Sequence, residues 1–311
     1  MSIGEQHGPM GCILDQAATE AVLVAMAASG QTPMFGDARP QLKGYWAVLK
    51  AKGVTSVLMP RLMTKFYPNR RADLQRRGTC VARGTYRAVM LSYLNAIDQK
   101  RLLGRPAVIA YEPIYVGSRV DIGGGRISGD GAVGAWAGQW CSVYGVCERN
   151  RYGSTDLSVD SPEGREDLAV GWRAVPAEVK AASALHKVDA HYAKTVEDQK
   201  DALAAGFAGA YCRNRLNGPR DANGISRPAG PGAHCEALCG IAVAANGEDV
   251  FLYQQSWGNQ PSGPAKLKLR DGQEYDLPQG CYGLYESDHR ASMGQWSESW
   301  HFEFPEGSQW S

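Results

Sequence analysis

No stretch of the chain approaches the roughly 18 consecutive apolar residues that a membrane-spanning helix needs, so no membrane partner is expected. Neither sign of charge prevails: 33 Lys and Arg face 32 Asp and Glu, for a formal net charge of +1. That balance offers no field for nucleic acid or an anionic surface. The pairs Arg70-Arg71 and Arg76-Arg77 are too short for a binding stripe and read as solvated. A positively charged leader is also missing. The first lysine or arginine is Arg39, and Asp15 and Glu20 interrupt the apolar stretch 13–28, so that stretch reads as a buried or amphipathic helix rather than a secretory signal. There is no internal repeat. The triple glycine Gly123-Gly124-Gly125 lacks the Gly-Lys-Ser/Thr ending of a phosphate loop.

What the chain does have is length and cysteine. Its 311 residues suffice for one large domain or two lobes with a sizeable core. Eight cysteines, at 12, 80, 141, 147, 212, 235, 239 and 281, are spread over the whole length. A chain this long does not need disulfides to fold, and a reduced setting is expected, cytoplasmic or virion-associated.

The pattern is organised around residues 75–97. Gly78 turns the chain and delivers Cys80 to the start of a helix with apolar residues at Tyr86, Val89, Met90, Tyr93, Leu94 and Ile97, one face of a 3.6-residue period. The positive end of that helix favours a thiolate. Before it lies an N-terminal extension, 1–68, with helices over 13–28 and 45–52 and a short strand over 53–59. After it, 108–116 reads as extended, the glycine-rich stretch 117–134 leads into a helix over 135–144, and Thr195 to Asp198 forms a capping box opening a helix to Ala205. From Phe207 onward the character changes to short strands: 207–212, 233–244, 250–255, 266–269 and 281–285. Asn246-Gly247 marks a hairpin. The expected fold class is α+β, divided into the extension 1–68, a helical lobe 69–175, an antiparallel sheet lobe 176–290 and a Trp-rich C-terminal tail 291–311 carrying Trp296, Trp300 and Trp310. That tail reads as irregular.

A thiol nucleophile needs a base, and the base an orienting partner. Of the histidines at 7, 186, 191, 234, 289 and 301, His234 has the most telling context. It opens an apolar strand whose hairpin partner ends at Gln255-Ser256-Trp257-Gly258, which brings an amide and a screening indole back beside it. His186 and His191 read as surface residues. A zinc site at His234, Cys235 and Cys239 is disfavoured because strand alternation sends 235 and 239 to the face opposite 234.

These residues together resemble the papain-like cysteine peptidases. Gln75 to Ala82 is similar to the glutamine, glycine and cysteine turn that opens the family's central helix. Asp130-Gly131-Ala132, with Trp136 and Tyr144-Gly145-Val146 behind it, resembles the Asn-Gly-Gly segment of the substrate cleft. Ala233-His234 resembles the histidine strand, and Gln255-Ser256-Trp257-Gly258 resembles Asn-Ser-Trp-Gly. The four landmarks fall in the family's order over residues 69–285, with a longer spacing than the family's roughly 130 to 150 residues between cysteine and its partners, so insertions over 146–194 are implied.

The resemblance implies a papain-like two-lobe fold, with a helical lobe whose central helix is headed by Cys80 and a barrel-like antiparallel lobe. It implies a thiol hydrolase of peptide or isopeptide bonds. Cys80 would attack the carbonyl, His234 would act as base and then acid, Gln255 would orient the ring, and Gln75 would donate to the oxyanion with the Cys80 N–H. Gly131, Ala132 and Trp257 would contact a peptide or protein substrate. No metal and no cofactor is implied. Four positions depart from the family pattern: Gln255 replaces asparagine, Gln75 stands one residue nearer the cysteine, Val81 replaces an aromatic, and Arg77 replaces a disulfide cysteine. The extension lacks the family's prosegment motif and reads as a folding element before a removable segment. Chains of this plain kind also resemble proteins encoded among bacteriophage structural genes. That gives the rival expectation of a weakly active or inactive papain-fold component of a larger assembly such as a virion, docking partners through the N-terminal extension or the C-terminal tail.

Overall fold

The structure is a computed structural model and describes residues 10–293 and 297–305. In chain order the elements that position the site are β1 (Cys12–Ile13), α1 (Gln16–Ala28), α2 (Tyr45–Ala51), β2 (Ser56–Leu58), α3 (Cys80–Asp98), α4 (Glu112–Gly117), β3 (Ala132–Val133), α5 (Gly134–Val143), β4 (Asp189–Tyr192) and α6 (Val196–Ala204). Then come β5 (Gly209–Asn217), β6 (Pro228–Val243), β7 (Asp249–Gln254), β8 (Cys281–Tyr285), α7 (Glu286–Ser292) and β9 (Ser297–Glu303). Helices dominate the first half and strands the second, as the residue pattern predicts. No helix among the described residues is long and apolar enough to cross a membrane.

Seven of these strands form one antiparallel sheet, six of them in the order β8-β7-β6-β5-β9-β4, with β2 paired to β6 off that path. Its longest strand, β6, changes neighbours along its length. Residues Pro228 to Leu238 pair with β5, whereas Gly240 to Ala242 pair with β2. An irregularity between Leu238 and Gly240 in the pairing with β7 marks the change, as expected where a sheet bends. The Asn246-Gly247 turn joins β6 to β7, with Gly247 at φ +88.

α3 is where the one-face reading falls short. Every residue from Cys80 to Ala96 is buried, including Arg83, Thr85, Arg87, Ser92 and Asn95. The helix runs between the sheet and the other helices, and its polar side of the period is matched by partners rather than by water. Arg87 donates to Asp73 at 2.8 Å, Arg83 to Glu166 at 3.1 Å, and Asn95 to the Gly206 carbonyl at 3.3 Å. Buried charge is tolerated because each has its counter-charge in place.

Close approach of α3 to β6 depends on Gly84. A Cβ there would lie 3.2 Å from the Glu236 backbone and 3.3 Å from that of Cys235. Gly84→Ala in a free helix would gain about 1 kcal/mol. Here it is expected to lose roughly 1–3 kcal/mol through overpacking against main chain, seen as a lower urea midpoint. An unchanged or higher midpoint would refute the packing argument.

Three expectations are corrected. The stretch 108–116 is not extended throughout: Pro113 sits in the first turn of α4, where its missing N–H costs nothing. The segment after residue 296 is no irregular tail but strand β9, set between β5 and β4, with Trp300 fully buried; Trp296 and Trp310 lie outside the described residues. His191 is buried rather than superficial. It pairs with His301 across β4 and β9, and its Nδ1 meets the Thr32 carbonyl at 3.0 Å. The extension, for its part, contributes Ala18, Val22, Met26, Trp46 and Met59 to the common core.

Candidate active site

Cys80 is the first residue of α3, and the turn before it is held by a buried carboxylate the sequence reading did not single out. Glu166 accepts from the Arg76 main-chain N–H (3.1 Å), the Thr79 hydroxyl (2.9 Å) and Arg83 (3.1 Å). One side chain thus spans both ends of the turn and the first coil of the helix. The segment before the turn is laced to the loop after β7. Gln75 N–H donates to the Ser256 carbonyl (2.8 Å), Gly258 N–H donates to the Asp73 carbonyl (2.7 Å), and Leu74 and Trp257 form an antiparallel bridge. Two pieces of chain far apart in sequence are therefore fixed side by side.

The lacing also sets the Gln75 side chain. The Ser256 hydroxyl donates to its Oε1 at 2.6 Å, so its Nε2 is the donating end. His234 sits near the start of the buried part of β6, and its ring lies on the indole of Trp257, with centroids 3.8 Å apart and planes 15° apart. The main-chain N–H groups of Cys235, next to His234, and of Gly11 and Val81 face the Cys80 sulfur and favour its thiolate. The structure thus brings Cys80, Gln75, His234 and Trp257 to one junction between α3 and the sheet.

Gln255 is brought there as well, but its amide is used otherwise than the sequence reading expects. Its nitrogen donates to the Gln260 carbonyl and its oxygen accepts the Trp257 N–H, so both ends brace the loop 255–260. The longer side chain turns into its own loop. The charged neighbour of the imidazole is instead Glu236, two residues on along β6. Desolvation pulls the Glu236 carboxyl up, but Arg213, His234 and the Tyr282 hydroxyl outweigh it and hold the carboxyl below its usual range. The signal for this residue was the i, i+2 alternation along the strand. A pocket of about 280 Å3 opens beside the ring, bordered by Glu236, Trp257, Tyr282, Arg215 and Asn217.

Gly131 and Ala132 lie across the junction, and their edge is taken by the chain itself. β1 runs parallel to β3, with Cys12 opposite Ala132, and the Ala132 N–H donates to the Gly11 carbonyl at 2.8 Å. The contact is glycine on glycine. A Cβ on Gly11 would lie 2.1 Å from the Gly78 oxygen, and one on Gly131, at φ +117, would lie 2.9 Å from the Gly11 oxygen. Residues 11–13 thus form a strap over Cys80.

Under the strap the thiol is not activated. Burial, then the nearby Cys12, push the Cys80 thiol up, and the three backbone N–H groups pull it down; the balance stands at about 12. The helix terminus that the sequence reading relied on is present, but its contribution of about 1 kcal/mol is smaller than desolvation of a thiolate. All eight cysteines are free and buried. Among the described residues, no group of three or more His, Cys, Asp or Glu side chains could hold a metal ion.

No protein-family model matches the chain, and no curated protein matches it. Solved structures do. Xylellain, a cysteine protease from Xylella fastidiosa, is 14% identical with a TM-score of 0.52, over 95% of this chain and 91% of that one. A digestive procathepsin L 3 from the larval midgut of Tenebrio molitor is 13% identical with a TM-score of 0.48, over 79% and 69%. A procathepsin B from Trypanosoma congolense is 11% identical with a TM-score of 0.48, over 82% and 78%. The similarity to xylellain shows that the fold is papain-like.

Proposed function

We propose that the chain is a thiol peptidase, hydrolysing peptide or isopeptide bonds, and that it is held latent by its own strap. Cys80 attacks the carbonyl carbon. His234 takes the thiol proton and returns it to the leaving amine. Gln75 Nε2 and the Cys80 N–H receive the developing oxyanion. Trp257 covers the ring and keeps water from it. A substrate would replace the strap on the Gly131-Ala132 edge, exchanging the Gly11 carbonyl for its own.

The observation that carries this reading is the lacing of 73–75 to 256–258. It supports a catalytic role because a purely structural junction has no need of a glutamine whose oxygen is pinned so that its N–H2 is the donating end. The reading also agrees with what xylellain is said to be, a cysteine protease. One observation favours the rival reading, a weakly active or inactive component of a larger assembly such as a virion: the amide of Gln255 is spent on its own loop.

The deciding measurement is turnover of a quenched fluorescent peptide library by a chain whose strap has been displaced through Gly11→Val. Cys80→Ala should abolish cleavage, and His234→Ala should lower kcat about 10^2 to 10^4-fold, the usual worth of a general base. Absence of cleavage, with Cys80 alkylating no faster than the other seven cysteines, would favour the assembly reading. Specific oligomers formed through the N-terminal extension or the C-terminal tail would then be the next thing to measure.

A further inference from the structure

The segment that leads into the Cys80 turn carries a polar cluster that the chemistry above does not use. Tyr67, Arg70 and Arg71 face Asp160, Ser161 and Pro162 across a pocket of about 600 Å3. Two buried guanidiniums meet at its wall. The Arg70 side chain is 7% exposed and that of Arg149 4%. Among the described residues, one carboxylate lies within 4 Å of both. It is Asp160, whose Oδ1 is 2.7 Å from Arg70 Nη2 and 3.6 Å from Arg149 Nε. Asp160 reaches them from the solvent side: its side chain is 38% exposed, on the stretch 157–165, which forms neither helix nor strand.

That carboxylate leaves donors over. Arg70 Nε and Nη1, Arg149 Nε and the Tyr67 hydroxyl are buried without a hydrogen-bond partner among the described residues. The neighbouring acids are engaged elsewhere. Asp73, 3.9 Å from Arg70, accepts from Arg87 and Tyr86, and Glu112 accepts from Arg149 Nη1 and the Arg165 N–H. Burial, partly offset by Arg70 and Arg105, lifts the Tyr67 hydroxyl to about 12, so at neutral pH it is an uncharged donor. Arg71 is exposed at the rim and forms no ion pair among the described residues.

We propose that this pocket binds a phosphate group, inorganic or carried on a small monoester, and that Asp160 is its internal stand-in. The ligand takes the place of the Asp160 carboxylate, which turns out to solvent. A carboxylate offers two oxygens in one plane, whereas a phosphate offers three or more spread over a tetrahedron and up to twice the charge. Arg70 and Arg71 supply the forked donors that match it, and the Tyr67 hydroxyl supplies a further one. Buried donors that Asp160 leaves without an acceptor are thereby satisfied.

The size of the pocket leaves room for the organic part of an ester between Pro68 and Pro162. The inference does not rest on the peptidase reading, since it is measured as binding and needs no turnover. Asp160 as stand-in has a consequence that Asp160 as a plain counter-ion lacks. Removing its charge must strengthen phosphate binding, because ligand and side chain compete for the same guanidiniums.

The test is calorimetric titration of the full chain at pH 7.5 with sodium phosphate, phenyl phosphate and sodium acetate, in the unaltered protein, Asp160→Asn and Arg71→Met. Phosphate is expected to bind Asp160→Asn about 10-fold more tightly than the unaltered chain, the worth of one charge-assisted hydrogen bond. It should also restore the Tm that this substitution lowers, by supplying Arg70 with a counter-charge. Arg71→Met, at an exposed position, is expected to weaken phosphate about 10-fold and leave Tm unchanged. Phenyl phosphate separates the two sources: tighter binding than inorganic phosphate supports the site as one for an ester, weaker binding as one for the free ion. Phosphate that binds Asp160→Asn no better than the unaltered chain would overturn the inference. So would acetate binding as tightly as phosphate, or phosphate binding indifferent to Arg71→Met.

Discussion

Replacing Gly11 by valine is expected to raise the rate at which iodoacetamide alkylates Cys80 at pH 8 by on the order of 10^3-fold, because the reactive species is the thiolate. With the strap seated, the thiol stands at about 12, so about one molecule in 10^4 is ionised at that pH. An exposed cysteine near its usual value of about 8.5 would be ionised in about a quarter of molecules. The substitution reaches this through sterics alone. A Cβ on Gly11 would sit 2.1 Å from the Gly78 oxygen and 2.4 Å from its Cα, and these are main-chain atoms of the turn that Glu166 holds. The turn cannot yield cheaply, so the strap must leave. Leaving also removes Cys12 from beside Cys80 and lets water reach the sulfur; both changes lower its pKa, and the relief of burial, the largest cause, outweighs the loss of the Gly11 N–H. Peptide mapping after brief alkylation measures the effect site by site. If Cys80 reacts at the unaltered rate, the body of the protein rather than the strap holds the thiol neutral.

The same contact shows what the sequence could and could not disclose. The helix headed by Cys80, the histidine strand, the Asn-Gly hairpin and the Ser-Trp-Gly loop each leave a local mark in periodicity or turn chemistry, and each is found where that mark predicts. The strap leaves none. Gly11 matters only because Gly78 and Gly131 cross it, and no spacing along the chain announces a three-way approach of glycines. The mismatch over Gln255 is of the same kind. An amide at that position can bind the ring or its own loop, and the choice rests on where Gln260 folds back. Strand β9 was hidden for another reason. Ser-Glu-Ser-Trp-His-Phe-Glu mixes polar and aromatic residues because Glu298, Ser299 and His301 are buried with partners of their own, so the alternation of a half-exposed strand never develops.

Magnitudes also decide how the site must work. A helix terminus offers a thiolate about 1 kcal/mol, whereas burial holds the Cys80 thiol near 12, some three units above a free cysteine, and each unit is about 1.4 kcal/mol. The dipole cannot win while the strap is in place. On the peptidase reading proposed above, activation would therefore have to come from exposure and from an imidazolium brought beside the sulfur. On that reading, the charge around His234 would be the second control on the chemistry, after the strap.

That charge is set by Glu236 and Arg213, and breaking their pair is expected to cost roughly 3–5 kcal/mol, the usual effect of stranding one member of a buried ion pair. Arg213 is fully buried, donates to Glu236 Oε2 at 2.7 Å and to the Tyr282 hydroxyl at 2.8 Å, and lies 4.7 Å from the centre of the Tyr253 ring. In the intact protein the Glu236 carboxyl is depressed. Its contribution to stability is therefore present above the unfolded pKa of about 4.3 and is lost as pH falls through the folded value. In Arg213→Met the desolvation of Glu236 loses its largest counterweight, and the folded pKa rises above the unfolded one. The sign then reverses: above the unfolded pKa, each added unit of pH charges a buried group that folding prefers neutral. Arg213→Met should accordingly lose more stability at pH 8 than at pH 5, and Glu236→Gln added to it should recover most of the difference. Urea unfolding of the three chains at the two pH values measures this. A loss equal at both would mean that the guanidinium acts by packing on Tyr253 and not by holding the charge next to His234.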